Sequence, residues 1–190
     1  PDRIEAGTFM AAAAITRGDV VLENVRLDHL GAVTEKFREI GVEITQELWG
    51  CSVKGGDNIL STSITTLPYP GLPTDMQPQL MSLLSIAQGT SVITEKVFPD
   101  RFMHIAELNR MGASIRKEGP SAIVNGVPHL SGTQVTASDL RAGAALVLAG
   151  LVAKGTTEIS GLHYLDRGYE SLETKFAQLG ARIERVQEQV

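Results

Sequence analysis

Cysteine is nearly missing from this chain. Cys51 is the single one in 190 residues, so no internal disulfide can form and a reducing compartment, the cytoplasm, is expected. A surplus of positive charge is missing too. Seventeen Lys and Arg against 22 Asp and Glu leave a net charge of −5, which argues against a nucleic-acid binder driven by bulk charge, though not against a local cationic pocket. Long apolar runs are absent: stretches such as Ala142 to Ala153 are too short for a bilayer and are broken by Gly150. No Walker motif, no Rossmann glycine pattern and no zinc spacing occurs, and His29, His104, His129 and His163 lack metal-ligand spacing. No metal and no cofactor is therefore expected. No secretory signal is visible, and the start at Pro1 reads as a processed or excised piece.

What remains is ordinary for a globular domain, with 43% hydrophobic and 21% charged residues. Its order is less ordinary, because one pattern is written three times. Asp2, Asp75 and Asp139 each open a helix of small apolar residues, which closes near Gly18, Gly89 and Gly155. A strand and a second helix follow, ending at Gly41, Gly112 and Gly180, which lie 23, 23 and 25 residues after the first glycines. An alternating strand comes next. The period predicts three units, about 2–66, 74–134 and 138–190, in one α/β domain.

In the first unit the pattern predicts a helix over Phe9–Thr16, a strand over Val20–Val25, a helix facing inward through Val33, Phe37 and Ile40, a hairpin of Val42–Thr45 with Cys51–Val53, and a strand over Ile59–Thr65. The second repeats this with Leu80–Ala87, Ser91–Val97, the face Ile105, Leu108 and Met111, and the hairpin Ala113–Arg116 with Ala122–Val124. The third offers Leu140–Val152, Thr156–Ser160, the face Leu172, Phe176 and Leu179, and a last strand over Ala181–Val186. The linkers Leu67–Pro73 (LPYPGLP, three prolines) and Val127–Gly132 cannot be regular central strands or are turn-rich. The third unit lacks the extra strand of the other two, so a strand from outside these residues is expected to complete it.

Positions that break the repeat are the candidates for chemistry. An aspartate opening a helix can simply cap it. Asp75 and Asp139 keep other company: Asp75 follows a rigid proline segment, and Asp139 has Arg141 two positions on. A carboxylate so placed can also accept a proton from a hydroxyl. Twelve residues after the first glycine the units carry Leu30, Arg101 and Arg167. A cation before a helix N-terminus is disfavoured by the dipole unless an anion sits between them, so Arg101 and Arg167, with Arg141, point to a phosphate or carboxylate guest. The competing reading is an arginine with a solvated head. His104 reads as structural, Cys51 as a buried small residue, and Trp49 as a turn or surface aromatic.

The segments LPTDMQPQ (Leu72 to Gln79), VFPDRFMHIAELNRMGA (Val97 to Ala113), ASDLRAGAALVLAG (Ala137 to Gly150) and LDRGYESLETKFAQLGARIERV (Leu165 to Val186) resemble the C-terminal part of the UDP-N-acetylglucosamine 1-carboxyvinyltransferases, and PDRIEAGTF (Pro1 to Phe9) fits the same family. The resemblance implies an inside-out α/β barrel domain: three pseudo-symmetric βαβαββ units around buried helices, the third incomplete, with a partner domain and an N-terminal strand lying elsewhere. It implies transfer of the enolpyruvyl group of phosphoenolpyruvate to the 3-hydroxyl of UDP-N-acetylglucosamine, without nucleic acid or membrane. It places Asp75 as acceptor of the hydroxyl proton, Val97 on the nucleotide sugar through its backbone, and Arg167 on the phosphoenolpyruvate anion. Arg101, Asp139 and Arg141 fall among further cleft residues for the anion and for proton transfer. The family's reactive cysteine and its Lys-Asn pair have no counterpart here: Cys51 is outside that motif, and Tyr164 holds a place given to histidine in the family. Two other readings stay open: the sister transferase acting on shikimate 3-phosphate, and a non-catalytic repeat module that binds anions or a protein.

Overall fold

The computed structural model describes residues 2–186. Helix α1 (Arg3–Thr16) starts earlier than its alanine run, because the Asp2 carboxylate accepts from the Ile4 and Glu5 N–H groups and caps the first turn. It ends at Arg17, which takes the left-handed conformation that the sequence assigns to Gly18; the Gly18 N–H then bonds back to the Ala13 carbonyl. Strand β1 (Asp19–Glu23), helix α2 (Gly31–Glu39) and the hairpin β2 (Glu43–Glu47) with β3 (Gly50–Lys54) complete the first unit, followed by a short β4 (Ile64–Thr65). The second unit is α3 (Gln77–Leu84), β5 (Thr90–Thr94), α4 (His104–Arg110), the hairpin β6 (Ser114–Glu118) with β7 (Ser121–Asn125), and β8 (Gln134–Thr136). The third is α5 (Leu140–Val152), β9 (Glu158–Ser160), the single turn α6 (Leu162–Leu165) and α7 (Leu172–Gln178).

Three sheets surround three helices. Their strand orders are β1-β3-β2, β4-β5-β7-β6 and β8-β9, and β4 and β8 each cross to pair in parallel with the first strand of the next unit. Inward-facing residues such as Cys51, Val53, Ile93, Ala122 and Val124 are fully buried against the helices. Helices α1, α3 and α5 pack on one another at the centre. Their composition permits this: Ala11, Ala14, Ala142, Ala144 and Ala145 are fully buried, and small side chains let backbones approach. A helix apolar on all sides is an interior helix. Gly7 shows how close the approach is, since a methyl there would meet the Met76 sulfur at 2.6 Å. Across the α3–α5 contact the Ser82 hydroxyl donates to the Ala145 carbonyl at 2.7 Å, so the polar atom is satisfied without water.

Three expectations differ from the structure. The strand expected over Ile59–Thr65 forms only as β4, because the Thr62 N–H turns to the Ser91 hydroxyl instead of a ladder carbonyl. Strand β8 was hidden beside a turn-rich linker. No strand forms over Ala181–Val186. In the earlier units β2 pairs only with β3, and β6 only with β7. Among the described residues the third unit has no counterpart of β3 or β7, so this segment has no ladder to join. It is held by the Arg185 guanidinium, which donates to Asp166 at 2.6 Å and lies 3.3 Å from Glu173.

Two glycines separate close approach from conformation. A methyl at Gly126 would lie 1.5 Å from the Ala87 carbonyl oxygen, whereas one at Gly112 meets open space but sits at φ +91°. Gly112→Ala is expected to cost on the order of 1–2 kcal/mol from backbone strain alone. Gly126→Ala is expected to cost more, because two backbones must separate, and urea unfolding of both variants against the parent checks the order.

Candidate active site

The three opening aspartates occupy equivalent places and do different things. Asp2 caps α1, and Asp139 caps α5 by accepting from the Arg141 and Ala142 N–H groups at 2.7 and 2.9 Å. Asp75 caps nothing. It lies in a 3₁₀ turn, Thr74–Met76, set by Pro73 just ahead of α3. Its carboxylate is gripped by two guanidinium groups instead: Arg101 Nη1 donates to Oδ1 at 2.5 Å, and Arg141 Nη2 to Oδ2 at 3.5 Å. The arginine side chains are only 19% and 11% exposed, so this is not a solvated surface pair.

Each partner is anchored. Arg101 also donates to the Thr74 hydroxyl at 3.2 Å and stacks over Phe98, 5.2 Å from the ring centroid. Its carbonyl accepts from Gln77 Nε2, which pins the Arg101 turn to the start of α3. Behind both turns lies Glu95, 1% exposed. Its carboxylate accepts from the Thr66 and Thr74 hydroxyls and from the Val97 and Phe98 N–H groups. A buried carboxylate needs such donors, and here four of them tie the end of β5 to the Asp75 turn. Arg141 is held from the other side: Nη1 donates to the Tyr169 hydroxyl at 3.2 Å, and the guanidinium carbon lies 5.6 Å from the Tyr169 ring centroid.

Burial works to raise the Asp75 pKa, but the hydrogen bond from Arg101 and the charges of Arg141 and Arg101 outweigh it and hold the group below the usual carboxylate range. Asp75 is thus an ionised carboxylate with one oxygen on each guanidinium and 37% of its side chain open to solvent. The residues meeting here come from near the starts of α3 and α5 and from the turn before α4. The start of α3 has no side-chain cap and adds positive potential there, whereas the start of α5 is already met by the Asp139 carboxylate.

The remaining candidates stand apart from this grip. Arg167 is exposed and makes no ion pair among the described residues. Its turn nonetheless rests on α5, since a methyl at Gly168 would meet the Leu140 side chain at 2.7 Å. Val97 is 40% exposed, and its N–H is taken by Glu95, so its carbonyl is what its backbone can offer a ligand. His104 is 1% exposed with both ring nitrogens unpartnered; it opens α4 without capping it. Cys51 is fully buried, and burial pushes its thiol pKa up, away from nucleophile character. Trp49 sits exposed at the β2–β3 turn. A hollow lined by Asn109, Ser114, Arg116 and Asn125 lies by the β6–β7 hairpin, shares no residue with the cluster and contains no acid. Among the described residues no group of His, Cys, Asp and Glu is placed to hold a metal, and no helix is long and apolar enough to cross a membrane.

Glu95, Thr8, Gln79 and Tyr169 are site-supporting residues that the sequence reading missed. The available signal was polarity inside apolar helices: Thr8, Gln77 and Gln79 are fully buried in α1 and α3.

A threefold α/β scaffold around buried helices, with an acid between two guanidiniums near the helix starts, defines an α/β repeat domain with a charged corner. The profile of EPSP synthase (3-phosphoshikimate 1-carboxyvinyltransferase) matches residues 1–176, and the chain belongs to that family. Among curated relatives it is 58% identical over 97% of its length to UDP-N-acetylglucosamine 1-carboxyvinyltransferase 1 of Caldanaerobacter subterraneus subsp. tengcongensis. It is 57% identical over 99% to UDP-N-acetylglucosamine 1-carboxyvinyltransferase of Geotalea daltonii. The chain spans about 45% of the length of these relatives. Among solved structures, the enolpyruvyl transferase NikO from Streptomyces tendae superposes over 97% of this chain and 44% of its own, with TM-score 0.86 and 28% identity. EPSP synthase from Acinetobacter baumannii shares the fold at TM-score 0.63, 23% identity, over 83% of this chain and 38% of its own.

Burial holds the His104 pKa down at about 4, against an ordinary value of 6.5. The Asp139 carboxylate opposes the drop and the Arg101 charge assists it. A histidine kept neutral in the fold but protonated once unfolded destabilises as pH falls, so stability is full above about 6.5 and declines toward about 4. Between pH 7 and pH 5 the loss is expected to be on the order of 2 kcal/mol. Urea unfolding at both pH values checks it, and His104→Leu should flatten that slope.

Proposed function

We propose that this chain supplies half of an interdomain active site that transfers the enolpyruvyl group of phosphoenolpyruvate to the 3-hydroxyl of UDP-N-acetylglucosamine. The observation that carries the reading is Asp75, which is held by Arg101 and Arg141 where its two counterparts serve as helix caps. The identity of 55–58% to the curated carboxyvinyltransferases supports the choice of acceptor over shikimate 3-phosphate, the alternative that the family's name keeps in view. The product would enter peptidoglycan precursor synthesis in the cytoplasm, and so serve cell wall biogenesis, cell shape and division. The partner domain of the same protein would close the cleft and bring the reactive cysteine. A strand from the N-terminal segment would complete the third sheet.

In this reaction the acceptor hydroxyl adds to C2 of phosphoenolpyruvate while C3 takes a proton, and the tetrahedral adduct then expels phosphate as C3 gives a proton back and the C2–C3 double bond re-forms. Asp75 takes the hydroxyl proton, and Arg101, Arg141 and Arg167 receive the phosphate and carboxylate of phosphoenolpyruvate. Asp139 orders the start of α5 and keeps Arg141 in place, next to the proton traffic. Val97 meets the nucleotide sugar through its carbonyl. The grip on Asp75 gives the order of events a physical basis. While two guanidiniums hold it, the carboxylate is a weak base. An arriving anion competes for the same donors, draws them off, and restores basicity where the hydroxyl waits.

Phosphate release from phosphoenolpyruvate and UDP-N-acetylglucosamine tests the reading. The isolated 190-residue chain is expected to be inactive. In the full-length protein Asp75→Asn should lower kcat by about 10²-fold or more with the fold kept. Turnover by the isolated chain would refute the two-lobed site. Unchanged transfer in Asp75→Asn would favour a non-catalytic anion-binding module, and selective calorimetric binding of shikimate 3-phosphate would favour the sister transferase.

A further inference from the structure

Behind Arg141 lies a polar hub that joins all three central helices. The Tyr169 hydroxyl meets Arg141 Nη1 from α5 at 3.2 Å, the Thr8 hydroxyl from α1 at 2.8 Å, and Gln79 Nε2 from α3 at 3.4 Å. Gln79 Nε2 also donates to Thr8 Oγ1 at 3.2 Å, and the Thr8 hydroxyl bonds back to the Ile4 carbonyl at 2.9 Å. Tyr169 is 2% exposed, and Thr8 and Gln79 are fully buried.

Donor counting fixes the direction of this chain. The guanidinium N–H and the amide N–H can only donate, so both use lone pairs of the tyrosine oxygen. With Gln79 Nε2 turned to both hydroxyls and its Oε1 unpartnered, the tyrosine proton goes to Thr8 and the Thr8 proton to the Ile4 carbonyl. A hydroxyl committed in this way is a fixed acceptor for one edge of Arg141. The ring beneath the guanidinium adds an attraction to its face.

We infer that Tyr169 is the positioning residue for Arg141: its hydroxyl, oriented by Thr8 and Gln79, holds Nη1 in the interior so that Nη2 is turned to Asp75 and to the anion that displaces it. The inference rests on the transferase reading above. Tyr169 touches no reacting atom; it acts through Arg141. The three helices are thereby linked to the aim of one guanidinium.

Steady-state kinetics of the full-length protein that contains this chain test it, with the two KM values measured separately. Tyr169→Phe keeps the ring and removes the acceptor. It is expected to raise KM for phosphoenolpyruvate about tenfold, the scale of one lost hydrogen bond to a charged group, and to leave KM for UDP-N-acetylglucosamine within about twofold. Thr8→Val, which leaves the tyrosine in place, should shift the same constant in the same direction by less. In an Arg141→Lys background Tyr169→Phe should cost less than about twofold, because the two act as one unit. Equal rises in both KM values, or the full effect persisting in the Arg141→Lys background, would overturn the inference. If Tyr169→Phe does not fold, an unchanged phosphoenolpyruvate KM in Thr8→Val overturns it. A parent protein that makes no enolpyruvyl product overturns the transferase reading instead. Calorimetry with inorganic phosphate then judges Tyr169 alone, weaker binding by Tyr169→Phe supporting its role and equal binding ending it.

Discussion

Three helices buried on every side leave their polar groups no water to turn to, and the rest of the structure follows from that constraint. The backbone bonds within the helices, and the exposed N–H groups of the first turns must be met locally. Asp2 and Asp139 do this for α1 and α5. Side chains that are polar inside the bundle have to meet one another, which is why Thr8, Gln79 and Tyr169 converge on one point. An interior hydrogen bond of this kind contributes little net stability, but leaving one partner unmatched costs the whole desolvation penalty. Such groups therefore specify the helices' mutual register more than they strengthen the fold.

The same constraint makes a symmetric scaffold yield an asymmetric site. Helix α3 is entered through a proline-set turn, so its aspartate does not bend back to cap the helix and points to other partners. Those partners are available because β5, the strand that follows α3, runs out into Glu95, whose carboxylate gathers the Asp75 and Arg101 turns around itself. In the first unit the counterpart of Arg101 is Leu30, which is buried in the core. One position thus serves packing in one unit and charge in the next. The repeat supplies the geometry, and local departures from it supply the chemistry.

Much of this was legible in residue order. The period of the aspartates and glycines marked the three units, and alternation marked the strands in the first two. The last strand was misread because alternation records only which face a residue turns inward. Whether a ladder exists depends on a neighbour, and over Ala181–Val186 the described residues offer none. Asp75, Arg101 and Arg141 were picked out as breaks in the repeat, and they do meet. Arg167, picked out on the same ground, lies exposed outside the grip. Position within a repeat fixes where the backbone goes, while a long side chain goes where a partner is. Glu95 and Tyr169 escaped notice for the converse reason: nothing in their local pattern differs from a strand end or a helix-flanking aromatic, and their roles arise from residues distant in sequence.

The charge balance at Asp75 links these observations to what the site can do. Two guanidiniums face the Asp75 carboxylate near the starts of two buried helices, while the carboxylates of Asp139 and Glu95 are taken up by N–H groups and hydroxyls behind them. Arg141 cannot retreat from Asp75, since its far edge is fixed by Tyr169, and Arg101 cannot, since Gln77, Thr74 and Phe98 hold it. With the cations fixed, the movable quantity is what they bind. In the free domain they hold the protein's own acid. On the reading proposed above, an incoming phosphate or carboxylate would share these fixed guanidinium N–H groups and leave Asp75 with fewer donors. A resident acid is thus a means of keeping two largely buried arginines in place without leaving them unpaired.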